Sequence, residues 1–196
     1  GDGFGTAILR ALRGEGVDVR HLTIDDSGRT GVMFRERRVL GAMDVVYHRA
    51  GSAGSRLTPE DVVRAVDDGV FEGIRWLHLT GITPALSDTA RAATTRALEE
   101  GRRTGATVSL DVNMRRRLWS DEQAAPVLRD LASRVNVVFG STDELALIEG
   151  YLATHRLSRA LDVEVTLTSS LPEGIGMGSS TADIVATVRA LDLALG

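Results

Sequence analysis

IRWLHLTG (74–81), TVSLDVN (107–113) and VNVVFG (135–140) are three short apolar runs of strand length, each giving way to glycine or polar residues. Between them lie stretches with helical spacing and explicit start signals. Ser87 is placed to cap a long helix over 88–104, and Ser120 to cap another over 121–133. Strands alternating with helices in this way predict βαβ units, and so a parallel sheet with helices on its faces.

The same grammar extends on both sides. Upstream, Thr58-Pro59-Glu60-Asp61 opens a helix with an N-cap hydroxyl, a proline at the first position and acids at the positive end of the dipole. Downstream, Ser141-Thr142 opens a short helix after the third strand. Residues 4–13 place Phe4, Ile8, Ala11 and Leu12 on one helical face, stopped by Gly14 and Gly16. Residues 17–24 alternate around Val19, Leu22 and Ile24 as a half-buried strand does, and two more strand-like runs fall near 31–36 and 38–48. Past position 150, residues 151–161 read as helix, 163–168 as strand and 179–195 as helix, with a glycine-rich loop at 169–178.

Composition bounds the rest. The chain has 196 residues, 43% of them hydrophobic and 26% charged, with mean hydropathy −0.01. That is enough for one domain with a core, or one and a fraction. No apolar run approaches the ~20 residues of a membrane-spanning helix, and no signal peptide opens the chain. With no cysteine, disulfides and thiolate metal sites are excluded, and a cytoplasmic location is the expectation. A net charge of −4 without a basic stripe gives no attraction to nucleic acid. The chain opens on glycine rather than methionine, which suggests a start within a gene.

In open α/β sheets, ligands bind beyond the carboxyl ends of the strands. Those ends carry Thr80-Gly81, then Asp111-Val112-Asn113-Met114-Arg115, then Gly140-Ser141 running to Asp143 and Glu144. Asp111, Asn113 and Arg115 alternate, so they point one way, and an arginine there suits an anionic oxygen group. On spacing alone, a second reading stands beside this one: Asp111 and Asn113 cap the loop, and Arg115–Arg117 form a solvated edge.

The fragments GDGFG (1–5), YHRAGSAGSRL (47–57), WLHLTGI (76–82), DVNMRRRLW (111–119) and GSTDELALI (140–148) resemble, in order and spacing, ribokinase-like (PfkB) sugar kinases, most of all 2-keto-3-deoxygluconate kinases. The resemblance implies an incomplete ribokinase-like α/β fold over 1–149, with strands 17–48 as a small β lid. It implies a keto-sugar acid as substrate, ATP and Mg as cofactors, and a homodimer through the lid strands. Tyr47, Arg49, Arg115 and Gly81 would face the substrate, and Glu144, with Asp111 and Asn113, would organise metal and phosphate. Gly81, Arg115 and Glu144 are expected around one pocket. Two positions depart from the family: Ser141 replaces the asparagine of its N-x-x-E motif, and Met33 stands where a second substrate-facing tyrosine is common. The family's sugar-binding Asp near the N-terminus and its C-terminal G-A-G-D motif, whose Asp is the base and whose amides form an anion hole, have no counterpart here. The chain alone is therefore expected to turn over little.

Pro172-Glu173-Gly174-Ile175-Gly176-Met177-Gly178-Ser179-Ser180 lies between the last strand and helix. Glycines let a backbone approach phosphates, and a helix N-terminus offers free amides. The spacing fits neither a Walker A loop nor a Rossmann fingerprint, so a nicotinamide enzyme is not expected. A plain strand-to-helix turn would also produce it. The segment 153–196 is similar to the phosphate-binding motif of GHMP kinases, in their L-threonine kinase branch. That resemblance implies Gly174, Gly176, Gly178, Ser179 and Ser180 as nucleotide-phosphate contacts. The expectation is a composite joined near Gly150, with an appended strand–loop–helix unit over 151–196. The competing expectation is one continuous ribokinase-like domain, and a third is a non-catalytic nucleotide-binding module. His21, His48, His78 and His155 show no metal spacing, and Trp76 and Trp119 read as core.

Overall fold

A computed structural model describes residues 1–36 and 44–152. Helix α1 (Gly3–Gly14) is capped by Asp2, whose carboxylate accepts from the Gly5 amide. The same carboxylate accepts from the backbone and hydroxyl of Thr30, and the Gly5 amide first, then Thr30, hold its pKa down at about 2. Strands β1 (Val32–Glu36) and β2 (Asp44–His48) form an antiparallel pair in which Met33 lies opposite Tyr47 and Phe34 opposite Val46. After a 3₁₀ turn at Ala53–Arg56 comes α2 (Pro59–Asp67), opened by a full capping box between Thr58 and Asp61.

The core is built from β3 (Trp76–Thr80), a short α3 (Ile82–Leu86), α4 (Asp88–Arg103), β4 (Thr107–Asp111), α5 (Asp121–Ser133), β5 (Val137–Phe139) and α6 (Thr142–Leu152). The three strands are parallel in the order β3-β4-β5. Ser87 and Ser120 cap α4 and α5 as their sequences require. Val108, Leu110 and Val112 are fully buried and pack with Leu98 of α4, Leu128 and Leu131 of α5, and Ile148 of α6. Burying each such leucine is worth about 1.5–3 kcal/mol. Gly101 of α4 sits where a Cβ would strike Leu77 and Val108, so helix and sheet meet without a side chain between them.

The alternating run 17–24 forms no strand. Val17, Leu22 and Ile24 are 48%, 37% and 46% exposed. A strand exists only by pairing, and no described segment supplies a ladder to this one. The apolar face of α1 is likewise uncovered by the described residues, with Phe4 at 63% exposure. Residues 53–56 and 82–86 form short helical turns that the sequence pattern did not announce. Among the described residues, no helix is long and apolar enough to cross a membrane.

Candidate functional site

The three parallel strands end side by side, and hydrogen bonds tie their tips together. The Gly81 amide donates to the Asp111 carbonyl (2.8 Å), and the Val112 amide to the Phe139 carbonyl (2.8 Å). A Cβ on Gly81 would lie 2.1 Å from the Val112 carbonyl oxygen. Glycine is therefore demanded here by the approach of two strand tips. Asn113 takes a left-handed φ of 42°, turning the chain out of β4, and its amide donates to the Thr80 hydroxyl at 3.3 Å.

Glu144 is occupied by backbone. One carboxylate oxygen accepts from the Met114 amide (2.6 Å), and the other from the Ser141 amide (2.9 Å) and hydroxyl (3.1 Å). The Ser141 hydroxyl accepts from the Glu144 amide in return, which makes a capping box at the start of α6. Asp111 is pushed above the usual carboxylate range by burial and then by the nearby Glu144 charge. His78 is pushed below its usual value by desolvation, against the pull of Asp111. Its Nδ1 lies 2.8 Å from the hydroxyl of fully buried Ser109, which also accepts from the Trp76 indole at 2.7 Å. Among the described residues, no three acidic or histidine side chains cluster as a metal site. With Glu144 spent on amides, the described donor set does not fit direct magnesium coordination.

Three consecutive arginines after β4 take different partners. Arg115 folds back to donate to the Met114 carbonyl (2.9 Å). Arg116 forms a two-bond pair with Asp121 (2.9 and 3.2 Å), which raises its pKa. Arg117 reaches across to the Val45 carbonyl on β2. Between this loop and the chain leaving β2 lies a cavity of about 160 Å³, lined by Tyr47, Arg49, Ala50, Arg115, Arg117 and Leu118. That is room for about five waters. The Arg49 guanidinium stacks over the Tyr47 ring at 4.3 Å.

The structure thus brings together Tyr47, Arg49 and Arg115. Gly81 and Glu144 are not among the residues lining that cavity; Gly81 lies where the strand tips pack, and Glu144 caps α6. Asp111 and Asn113 sit at the neighbouring tip. Gly174, Gly176, Gly178, Ser179 and Ser180 lie outside the described residues. Arg117 and Leu118 are additions to the site. Arg117 had been readable only as a solvated edge, because its partner Val45 lies 72 positions away. A larger groove of about 1040 Å³ lies between residues 21–27, the 3₁₀ turn, α2 and α3.

A parallel sheet flanked by helices, with a separate two-stranded antiparallel unit beside its polar strand tips, is the ribokinase-like arrangement in incomplete form. The chain belongs to the pfkB family of carbohydrate kinases, whose family model matches residues 1–165. Residues 145–196 also match the GHMP kinases N terminal domain. The chain is 39% identical over 153 residues to 2-dehydro-3-deoxygluconokinase of Thermoproteus tenax, covering 76% of this chain and 45% of that relative. It thus spans under half the length of that protein. Among solved structures it is similar to the PfkB protein from Polaromonas sp. JS666 (TM-score 0.69, 33% identity, 76% of this chain and 49% of that one). It is also similar to 2-dehydro-3-deoxygluconokinase from Thermotoga maritima (TM-score 0.64, 32% identity, 76% and 45%).

Proposed function

We propose that residues 1–149 are the sugar-facing part of an ATP-dependent kinase for a keto-sugar acid such as 2-keto-3-deoxygluconate. The observation that carries this reading is the small cavity walled by Arg49, Arg115 and Arg117 with Tyr47. Guanidinium forks hold a carboxylate through paired bonds, and the tyrosine hydroxyl can bond a keto or hydroxyl oxygen. Relatives named 2-dehydro-3-deoxygluconokinase support the same substrate class. In the intact reaction, ATP supplies the phosphoryl group and a primary hydroxyl of the sugar acid receives it. The contribution of the described residues is to bind and orient that acid.

Taken by itself, this 196-residue stretch is proposed to bind the sugar acid yet turn over little, since it spans 45% of the length of the relative it matches. Phe34 and Val46, opposite each other in register and 59% and 45% exposed, offer apolar surface for pairing through the lid strands. The test is calorimetric titration with 2-keto-3-deoxygluconate, alongside coupled assay of ADP release. Saturable binding that falls at least about tenfold in Arg115→Met is expected, the scale of one lost charged hydrogen bond. Binding untouched by Arg115→Met and Arg49→Met would remove the site, and robust turnover abolished by Arg115→Ala would remove the claim of low activity.

The match of residues 145–196 to GHMP kinases favours a second reading, a nucleotide-phosphate-binding segment over 151–196. It predicts saturable ATP binding that depends on Gly176 and Gly178 and not on Tyr47 or Arg49.

A further inference from the structure

We propose that Arg117 is a positioning residue, a latch that ties the two-stranded lid to the loop after β4 and so sets the height of the cavity. The proposal rests on the binding site proposed above. Two strands alone are marginally stable in water, so a two-stranded lid needs an anchor elsewhere to hold one position. β1 and β2 pair with each other, and among the described residues β2 belongs to no larger sheet. The Arg117 guanidinium donates to the backbone carbonyl of Val45 in β2, across 72 residues of sequence. Tyr47 is two positions further along the same strand, hence on the same face as Val45. Fixing the Val45 carbonyl therefore fixes the Tyr47 ring and the Arg49 guanidinium stacked over it.

The neighbouring arginines do not share this task. Arg115 donates within its own loop and Arg116 is paired with Asp121. Arg117 lines the cavity and bonds the lid at once. The bond is made to a backbone carbonyl, so it is independent of the side chain at position 45. A long planar fork is needed to reach it, which a lysine ammonium does not reproduce.

The test is amide hydrogen exchange of the whole chain without ligand, comparing residues 32–36 and 44–48 with β4. In Arg117→Met the lid amides should exchange roughly tenfold faster relative to β4, the scale of one charge-assisted hydrogen bond. In Arg115→Met that ratio should stay unchanged. Arg117→Lys, which keeps the charge and the stem, should also raise the ratio, and it serves if Arg117→Met loosens the whole fold. An unchanged ratio, or equal acceleration of lid and β4 in both Arg117 variants, overturns the latch. Titration with 2-keto-3-deoxygluconate is read separately. If the lid ratio rises while the unsubstituted chain binds no sugar acid, the latch stands and the substrate reading falls.

Discussion

Replacing Gly81 by alanine tests how the strand tips meet. An ideal Cβ there lies 2.1 Å from the Val112 carbonyl oxygen, 2.8 Å from Leu128 Cδ2 and 3.1 Å from the Val112 carbonyl carbon. Carbon contacts settle near ~3.5–4.0 Å, so the β3 and β4 tips must part or tilt by roughly an ångström. Parting them stretches the 2.8 Å bond from the Gly81 amide to the Asp111 carbonyl. Overpacking costs about 1–3 kcal/mol and a strained buried hydrogen bond about 1–3 kcal/mol more, so about 2–6 kcal/mol is expected. For a chain of this size that lowers Tm by roughly 4–24 °C, read by circular dichroism on thermal unfolding. Gly14→Ala is the matched control, since a Cβ there meets nothing within 4 Å and the position is helical. It should gain about 0.5–1 kcal/mol. A loss below about 2 °C in Gly81→Ala would refute the close approach and leave Gly81 to be explained by ligand contact alone.

Two further substitutions separate the carboxylates at the tips. Glu144→Ala removes the acceptor for the Met114 and Ser141 amides and should cost about 1–3 kcal/mol in urea unfolding, while Glu144→Gln, which keeps one acceptor oxygen, should lose less; equal losses would show that capping is not its role. Asp111→Asn should raise Tm at neutral pH by relieving a carboxyl whose pKa is raised by burial and by Glu144. Because the folded value lies above the unfolded 3.8, the penalty is full above the folded pKa and vanishes below 3.8, so the gain should disappear in Tm scans taken below that pH.

The N-caps were the most legible feature. Thr58, Ser87 and Ser120 each precede a polar first turn and an apolar stripe, and each starts its helix in the structure. The parallel strands were legible for the same reason, as short apolar runs between those helices. Residues 17–24 misled because alternation reports a face to be buried, while a strand also needs a neighbour to pair with. Residues 82–86 carry no start signal in the sequence, and Pro84 falls within the first helical turn, where proline is tolerated. At the site, Ser141-Thr142-Asp143-Glu144 carried two messages. The family motif pointed to metal and phosphate, whereas the serine with a glutamate three positions later is also a capping box, and the hydrogen bonds follow the second. Arg117 was hidden because nothing within its own loop points to strand β2.

The charge balance of the small cavity argues for an acid rather than a neutral sugar. Among the described residues, its lining holds three guanidinium groups and no carboxylate, in about 160 Å³. Like charges gathered in so small a volume repel, and Arg115 and Arg117 offset part of that through backbone carbonyls while Arg49 leans on an aromatic face. The carbonyl that Arg115 holds is a dipole and the Tyr47 ring under Arg49 a quadrupole, so neither cancels a unit charge. An anion entering the cavity would supply the missing charge, whereas a neutral sugar of the same size would bring only hydroxyls. Discrimination between the two should therefore weaken steeply as salt is added, because screening reduces the repulsion that the carboxylate relieves.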